Sequence, residues 1–145
     1  MSPRITTITL GVRDLKTATA FYEEIFGIER IPGYEEISFF RLPGCWLSLY
    51  PISKLAEDIS PTLDPHRSTF SGVTLAHHVT SRDAVQPFLE RAIAAGGTLA
   101  KSAQETFWGG YDGYFTDPDG YHWEIVWGPM FEFEPNGSLG FTECD

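Results

Sequence analysis

The segment FTDPDGYHWEIVWGP, which runs from Phe115 to Pro129, decides the fold because it joins a tight turn to a strand. Pro118 presets its φ angle for a turn, and the Asp119-Gly120 pair supplies residues that tolerate positive φ. After the turn, residues alternate with a period of two, which is typical of a strand with one face on a core. We expect the core face to carry Trp123, Ile125 and Trp127.

Glu124 therefore points to the other face of this strand. A carboxylate on a solvated face would be unremarkable, but Glu124 stands between two tryptophans and precedes Val126 by two positions. We interpret it as part of a cavity wall. A half-buried acid is a candidate for chemistry because burial shifts its protonation toward neutral pH.

An internal repeat indicates two copies of one supersecondary unit. A shift of 67 positions, as from Thr7 to Thr74, also aligns Val12 with Val79 and Phe21 with Phe88. Each half is predicted to form a strand, a helix and then three strands. The predicted boundaries are about 5–52 for module one, 53–72 for the linker, about 73–129 for module two and 130–145 for the tail.

The helices are placed by their caps and apolar stripes. Asp14 is expected to cap a first helix that ends at Gly27, and the linker is expected to hold a helical turn at Lys54 to Asp58. The second helix is expected to run from about Ser81 or Asp83 to Ala95, with Pro87 tightening or bending its first turns. Its predicted buried residues are Val85, Phe88, Leu89, Ala92 and Ile93.

The remaining elements are strands and a tail. The alternation typical of strands occurs in four further segments, which are Ile5 to Val12, Glu36 to Phe40, Trp46 to Tyr50 and Val73 to Thr80. The Pro-Asn-Gly turn between Phe133 and Leu139 is compatible with a small hairpin or with a frayed end.

Composition bounds the function. The chain has 145 residues, of which 42% are hydrophobic, so it can bury one core and we expect a single domain. Its net charge of −10 and lack of a Lys/Arg cluster argue against nucleic-acid binding and against an anionic membrane surface. We expect no membrane span, no leader segment, and a cytoplasmic protein in which Cys45 and Cys144 are reduced thiols.

The same motifs resemble the vicinal oxygen chelate superfamily, which holds glyoxalase I, extradiol dioxygenases and bleomycin-resistance proteins. Its Phe-x-Asp-Pro-Asp-Gly turn, followed by a metal-binding Glu, matches Phe115 to Gly120 and Glu124. Its opening strand end and helix start match Gly11 to Ile28. The resemblance implies an α+β fold of two βαβββ modules whose sheets curl around one cavity, and a homodimer. Unpaired edge strands also favour a homodimer.

The family holds a divalent metal with one residue from each of four strands. Those positions fall here on Thr7, Ser48, Thr74 and Glu124, of which three are hydroxyls. Neutral alcohols are poor ligands for Zn, Fe or Mn, so we expect no metal and no cofactor, which argues against lactoylglutathione lyase or extradiol dioxygenase activity. The spacing along the strands also allows a displaced metal site of His78, His122 and Glu124. The preferred interpretation of both histidines is that they are polar residues at a cavity edge, hydrogen-bonded to water or to the backbone.

In the loop TFWGGYDGYF, Thr106 to Phe115, large aromatic side chains stand next to glycines in the sequence. Trp108 and Tyr111 are candidate walls for an aromatic or amphipathic ligand, and the alternative is that they complete a core or a dimer seam.

We expect metal-independent binding of a small organic, possibly aromatic, molecule in the sheet cavity. The alternative is a lyase or isomerase with Glu124 as its catalytic general base. The expected partner is a small-molecule ligand. Its candidate binding residues are Thr7, Ser48, Tyr50, Thr74, His78, Trp108, Tyr111 and His122.

Overall fold

A computed structural model describes residues 3–66 and 70–141, which form α-helices and mixed β-sheets. The predicted α+β class is confirmed. The chain divides into two units, Met1–Arg67 and Ser68–Asp145, and this boundary falls inside the segment predicted to connect the modules. No helix in the described ranges is long and apolar enough to cross a membrane.

The first unit is a three-stranded sheet with helices. Its elements are β1 (Thr7–Val12), α1 (Leu15–Phe26), β2 (Ser38–Phe40), β3 (Trp46–Pro51) and α2 (Ile52–Ile59). Strand β1 is parallel to β3, which is antiparallel to β2, and the strand order is β1-β3-β2.

Helix α1 has the predicted ends. The Asp14 carboxylate accepts a hydrogen bond from the Thr17 amide at 2.8 Å, and Gly27 ends the helix at a φ of 65°, which favours glycine. The helix buries Phe21, Tyr22 and neighbouring apolar residues. This apolar stripe supplies the helical side of the first unit's core, and the strands supply Leu10, Val12, Phe40, Leu47 and Leu49.

The first unit departs from the predicted three strands after the helix. In the segment before β2, the Ile31 amide donates to the Phe39 carbonyl at 2.8 Å, but the described residues there form no strand. Pro32 has no amide hydrogen and Gly33 has a φ of 100°, so the pairing ends after one bond. The strand predicted from Glu36 begins at Ser38.

The second unit has the predicted order of a strand, a helix and three strands. Its elements are β4 (Thr74–His78), a 3₁₀ turn (Arg82–Ala84), α3 (Val85–Ala94), β5 (Thr98–Glu105), β6 (Tyr111–Thr116) and β7 (His122–Trp127). The four-stranded sheet has the order β4-β7-β6-β5, with β4 parallel to β7 and the other pairs antiparallel.

Two helices differ from their predictions in detail. Pro87 is the third residue of α3, where an amide hydrogen would have no partner inside the helix, and the turn before it is a 3₁₀ turn. Ile93 was expected to be buried, but it is 39% exposed because it lies in the last turn of α3. Helix α2 extends over Ile52–Ile59, beyond the predicted turn.

The face of the second sheet that packs on α3 is the predicted core face. Trp123 and Ile125 are buried there, and the rings of Phe115 and Trp123 stack with centroids 6.2 Å apart. Gly113 is required on this face, since a Cβ atom would lie 2.5 Å from Leu89 Cδ1. The alternation read from the sequence is therefore confirmed.

After β7, the tail forms a hairpin of β8 (Phe131–Phe133) and β9 (Leu139–Phe141) rather than a frayed end. Cys144 lies outside the described residues.

Candidate functional site

The Asp-Pro-Asp-Gly turn is held by the side chain of Asp117, which is buried. Its Oδ1 accepts hydrogen bonds from the amides of Asp119 and Tyr121, each at 2.9 Å. Gly120 occupies a φ of 85°, which L side chains rarely adopt. The turn fixes the register of β6 against β7, and this register positions the site residues of these two strands.

The sheet face opposite α3 carries its site residues in three rows, each crossing β4, β7 and β6. The rows follow from the pairing register, because residues two apart on a strand share a face. The first row is Thr74, His122 and Thr116, the second is Ala76, Glu124 and Tyr114, and the third is His78, Val126 and Asp112.

Glu124 lies at the centre of these rows and has two hydrogen-bonding neighbours. Tyr114 is its direct cross-strand partner on β6, and Asp112 lies two residues before Tyr114 on the same face. Hydrogen bonding with the Tyr114 hydroxyl and with the Asp112 carboxyl acts on the pKa of Glu124. Two carboxyl groups share a hydrogen bond only when one of them is protonated, since two carboxylates are acceptors only.

The surroundings raise the pKa of Glu124 to about 7. Burial is the largest cause, and the hydrogen bond and negative charge of Asp112 act in the same direction, while Tyr114 and Lys101 lower the pKa. Burial is also the largest cause that raises the pKa of Tyr114 to about 12, followed by the charge of Glu124. Glu124 can thus take or give a proton near neutral pH, and Tyr114 remains a donor.

Lys101, on β5, is a cation near this acid pair that the sequence analysis missed. Its Nζ atom is 3.5 Å from Asp112 Oδ1 and 5.7 Å from the centre of the Tyr114 ring. Strand β5 reaches the site through antiparallel pairing with β6.

Asp112 and Tyr114 were also missed. The sequence was sufficient to predict that Tyr114 faces Glu124, because a tight turn at Asp117 to Tyr121 pairs these two residues across the strands.

The two histidines of this face lie against aromatic rings. His78 meets Phe131 at 4.7 Å between ring centres and an angle of 89°, and burial lowers the pKa of His78. His122 meets Phe70 at 5.3 Å and 88°. The His122 Nδ1 atom is buried and has no hydrogen-bond partner in the part of the chain that the structure describes.

His77 lies on the helix face, where its ring centre is 4.9 Å from that of Phe88.

The two aromatic residues of the glycine-rich loop that were predicted to line one ligand site have different surroundings. The ring of Trp108 lies 5.8 Å from that of Phe131, which also contacts His78. Tyr111 pairs with Trp127 in the register and so lies on the face opposite Glu124, where the Arg82 guanidinium stacks 4.0 Å above its ring. The expectation that Tyr111 lines the same surface as Glu124 is corrected, because it is an odd number of residues from Asp112 and Tyr114.

Among the first unit's candidates, Ser48 has a hydroxyl neighbour on the adjacent strand. Ser48 is buried and its hydroxyl bonds to that of Thr9 at 2.6 Å, its cross-strand neighbour on β1. Thr7 pairs instead with Trp46, and Tyr50 follows Ser48 on the same face. Thr9, rather than Thr7, is the residue that engages Ser48.

The residues at the family's metal positions do not fit a transition metal. Three are hydroxyls, the Ser48 hydroxyl is engaged by Thr9, and the Glu124 carboxyl is engaged by Tyr114 and Asp112. Within residues 3–66 and 70–141, no three His, Cys, Asp or Glu residues converge as a metal site requires. The displaced set of His78, His122 and Glu124 therefore does not converge as a metal site requires.

Comparison with known proteins agrees with the fold and the turn. The family model for the Glyoxalase/Bleomycin resistance protein/Dioxygenase superfamily matches residues 4–125, and the chain belongs to this superfamily.

Among solved structures, a glyoxalase-related enzyme from Fulvimarina pelagi is 34% identical, with a TM-score of 0.86 over 97% of this chain and 99% of that one. Lactoylglutathione lyase from Agrobacterium tumefaciens shares the fold at 22% identity, with a TM-score of 0.69 over 92% of this chain and 100% of that one. Metallothiol transferase FosB from Bacillus licheniformis is 25% identical over 126 residues, which are 86% of this chain and 75% of the relative.

Proposed function

We propose that this member of the superfamily is an enzyme of the lyase or isomerase type, in which the Glu124 carboxyl moves a proton at a carbon next to a carbonyl of a small organic substrate. The observation that carries this proposal is the strand register, which places Glu124, Tyr114 and Asp112 together on one sheet face. An acid that is half protonated near pH 7 is suited to general acid–base catalysis.

The neighbours of Glu124 have complementary roles in this proposal. Tyr114 keeps its proton over the working pH range, so it orients the Glu124 carboxyl by donating to it. Lys101 lies beside Asp112 and offsets its negative charge. No step requires a metal, because the hydroxyls at the family's metal positions do not fit one.

Solvent exchange tests the proposal. Hydroxyacetone and acetophenone, two carbonyl compounds with exchangeable hydrogens beside the carbonyl, are incubated in D₂O with the protein and followed by proton NMR. The parent is expected to accelerate deuterium uptake by at least about tenfold over Glu124→Gln for one of them. Glu24→Gln, the same change on an exposed position of α1, is the matched control. Equal rates for the parent and Glu124→Gln would remove the catalytic proposal.

Metal-independent binding without turnover is the second candidate. It is favoured by the aromatic rings around His78, since Phe131 contacts both His78 and Trp108 and gives a wide apolar surface. In that case Glu124→Gln keeps the fold and weakens binding by roughly 1 to 3 kcal/mol, as expected for one lost hydrogen bond to a charged group.

Homodimer formation is a further part of the proposal. Strands β4 and β5 are at the edges of the second sheet and β1 and β2 at those of the first, so each has one side without a strand partner among the described residues. Light scattering is expected to give twice the chain mass of 16.2 kDa, and the monomer mass at micromolar concentration would contradict it.

A further inference from the structure

We propose that the face of the second sheet opposite α3 contains a notch above Ala76, and that this notch accepts a small planar molecule without negative charge whose carbonyl or hydroxyl group contacts Glu124. The inference rests on the proposed function, because it specifies the substrate class of the same site. It goes further by assigning the position of the substrate and the residue that limits its size.

Ala76 forms the floor of the notch. It lies directly across from Glu124 in the pairing of β4 with β7, and it is exposed although it is in the middle of a strand. On the other side of Glu124, Tyr114 lies directly across on β6, and Asp112 lies two residues before it on the same face. A ligand therefore reaches Glu124 from the side of Ala76, where a single methyl group leaves the space open.

Aromatic pairs bound the notch at both ends. His78 with Phe131 lies at one end, and His122 with Phe70 lies at the other. The two rows are four residues apart along the strands, which is about 13 Å between backbone positions. After the side chains at each end are allowed for, the remaining length suits one ring, and aromatic walls favour a planar group.

The charges of this face disfavour an anion. Asp112 and Glu124 supply two carboxyl groups, and Lys101, a cation on this face, is already 3.5 Å from Asp112. The chain itself carries a net charge of −10. A negatively charged ligand therefore meets repulsion at short range and over the whole molecule.

Three matched probes test the charge preference. Benzamide, benzoate and benzamidine have the same planar shape and are neutral, anionic and cationic. Their dissociation constants are measured by titration into ¹⁵N-labelled protein with amide shifts as the signal. Benzamide is expected to bind at least about fivefold more tightly than benzoate, which is the discrimination expected for one charge near a carboxylate pair.

Ala76→Leu tests the position. This variant is expected to lose at least about tenfold in benzamide affinity because the longer side chain fills the notch. Ala94→Leu makes the same change at an exposed residue of α3 and is expected to bind as the parent does. If thermal unfolding shows that Ala76→Leu is not folded, Ala76→Val replaces it, since β-branched residues suit strands.

Three results would each overturn the inference. They are benzoate binding as tightly as benzamide, a folded Ala76 variant binding benzamide like the parent, and no saturable benzamide signal up to about 10 mM. Deuterium uptake that depends on Glu124 is measured independently, so its presence together with any of these results removes the notch and leaves the proposed function in place.

Discussion

Tyr114 and Glu124 are direct cross-strand partners in the antiparallel pair of β6 and β7, and hydrogen bonding from the Tyr114 hydroxyl lowers the pKa of the Glu124 carboxyl. This pairing follows from the tight turn that the Asp117 carboxylate holds three residues after Tyr114. The local chemistry of the turn thus determines which donor meets the acid of the site.

Replacing Tyr114 by phenylalanine tests that relationship. The hydroxyl stabilises the ionised carboxylate, so Tyr114→Phe is expected to raise the pKa of Glu124 further above about 7. The measurement is a carbon NMR titration of the labelled Glu124 carboxyl. Tyr111→Phe, on the opposite face, serves as the control and should leave that titration unchanged. A lower or identical pKa in Tyr114→Phe would show that the hydroxyl does not donate to Glu124.

The buried turn acceptor is expected to matter for stability. Asp117→Ala leaves the amides of Asp119 and Tyr121 without their acceptor and is expected to lower the free energy of unfolding by about 2 to 4 kcal/mol. Asp117→Asn keeps an acceptor oxygen and should cost less than half of that. Asp64→Ala removes a similar acceptor from an exposed turn, so urea unfolding should show a change within about 0.5 kcal/mol. Equal costs at the two turns would contradict the role of burial.

Much of this fold was predictable because it depends on local patterns. The alternation around Glu124 predicted both faces of β7, and the Asp14 and Gly27 signals predicted both ends of α1. These features need only the period of a strand or the chemistry of a cap.

The partners of Glu124 were harder to predict because they come from other strands. Lys101 is 23 positions before Glu124 and reaches the site through two strand pairings, with irregular register between β5 and β6. A bulge changes which face a residue occupies, so no spacing in the sequence reveals that Lys101 shares the face of Glu124. The prediction for Tyr111 was wrong for a simpler reason. Tyr111 is an odd number of residues from Tyr114, so the two side chains lie on opposite faces of β6. The register set by the turn would have shown this.

Purified protein is expected to hold no stoichiometric transition metal. The hydroxyl of Ser48 is engaged by Thr9 and the carboxyl of Glu124 is engaged by its neighbours, so neither is a free ligand. Elemental analysis after gentle dialysis gives the metal content, and thermal unfolding with and without added Zn²⁺ is expected to give the same Tm. About one Zn, Fe, Mn or Ni per chain would revive metal-dependent chemistry.

The buried nitrogen of His122 predicts an unusual stability effect. Its Nδ1 atom has no hydrogen-bond partner in the described ranges, so His122→Leu removes a desolvated polar atom without breaking a bond. We expect the free energy of unfolding to stay within about 0.5 kcal/mol of the parent or to rise. Thr19→Val is the contrasting variant, because it leaves the buried Ser38 hydroxyl without its 2.7 Å partner and should cost about 1 to 2 kcal/mol. A large loss in His122→Leu would reveal a partner for the imidazole.

The last prediction concerns stability as a function of pH. The pKa of Glu124 is raised from 4.5 to about 7 in the folded chain, so between these values the folded state holds a proton that the unfolded state has lost. Stability therefore falls as pH rises through this window, and the full cost is present above about pH 7. Glu124→Gln has no proton to lose at this position. Relative to the parent, it is expected to gain about 1 to 2 kcal/mol between pH 4 and pH 8, after allowance for screening of a half-buried group.

Urea unfolding of both proteins at matched pH values measures this difference. Glu24→Gln, on an exposed position of α1, corrects for the loss of any surface carboxylate. The gain should appear between pH 4.5 and pH 7, because that interval separates the two pKa values of Glu124. A constant difference between parent and Glu124→Gln across the window would mean that the fold does not shift this carboxyl. The proton transfer proposed for the site would then lose its physical basis.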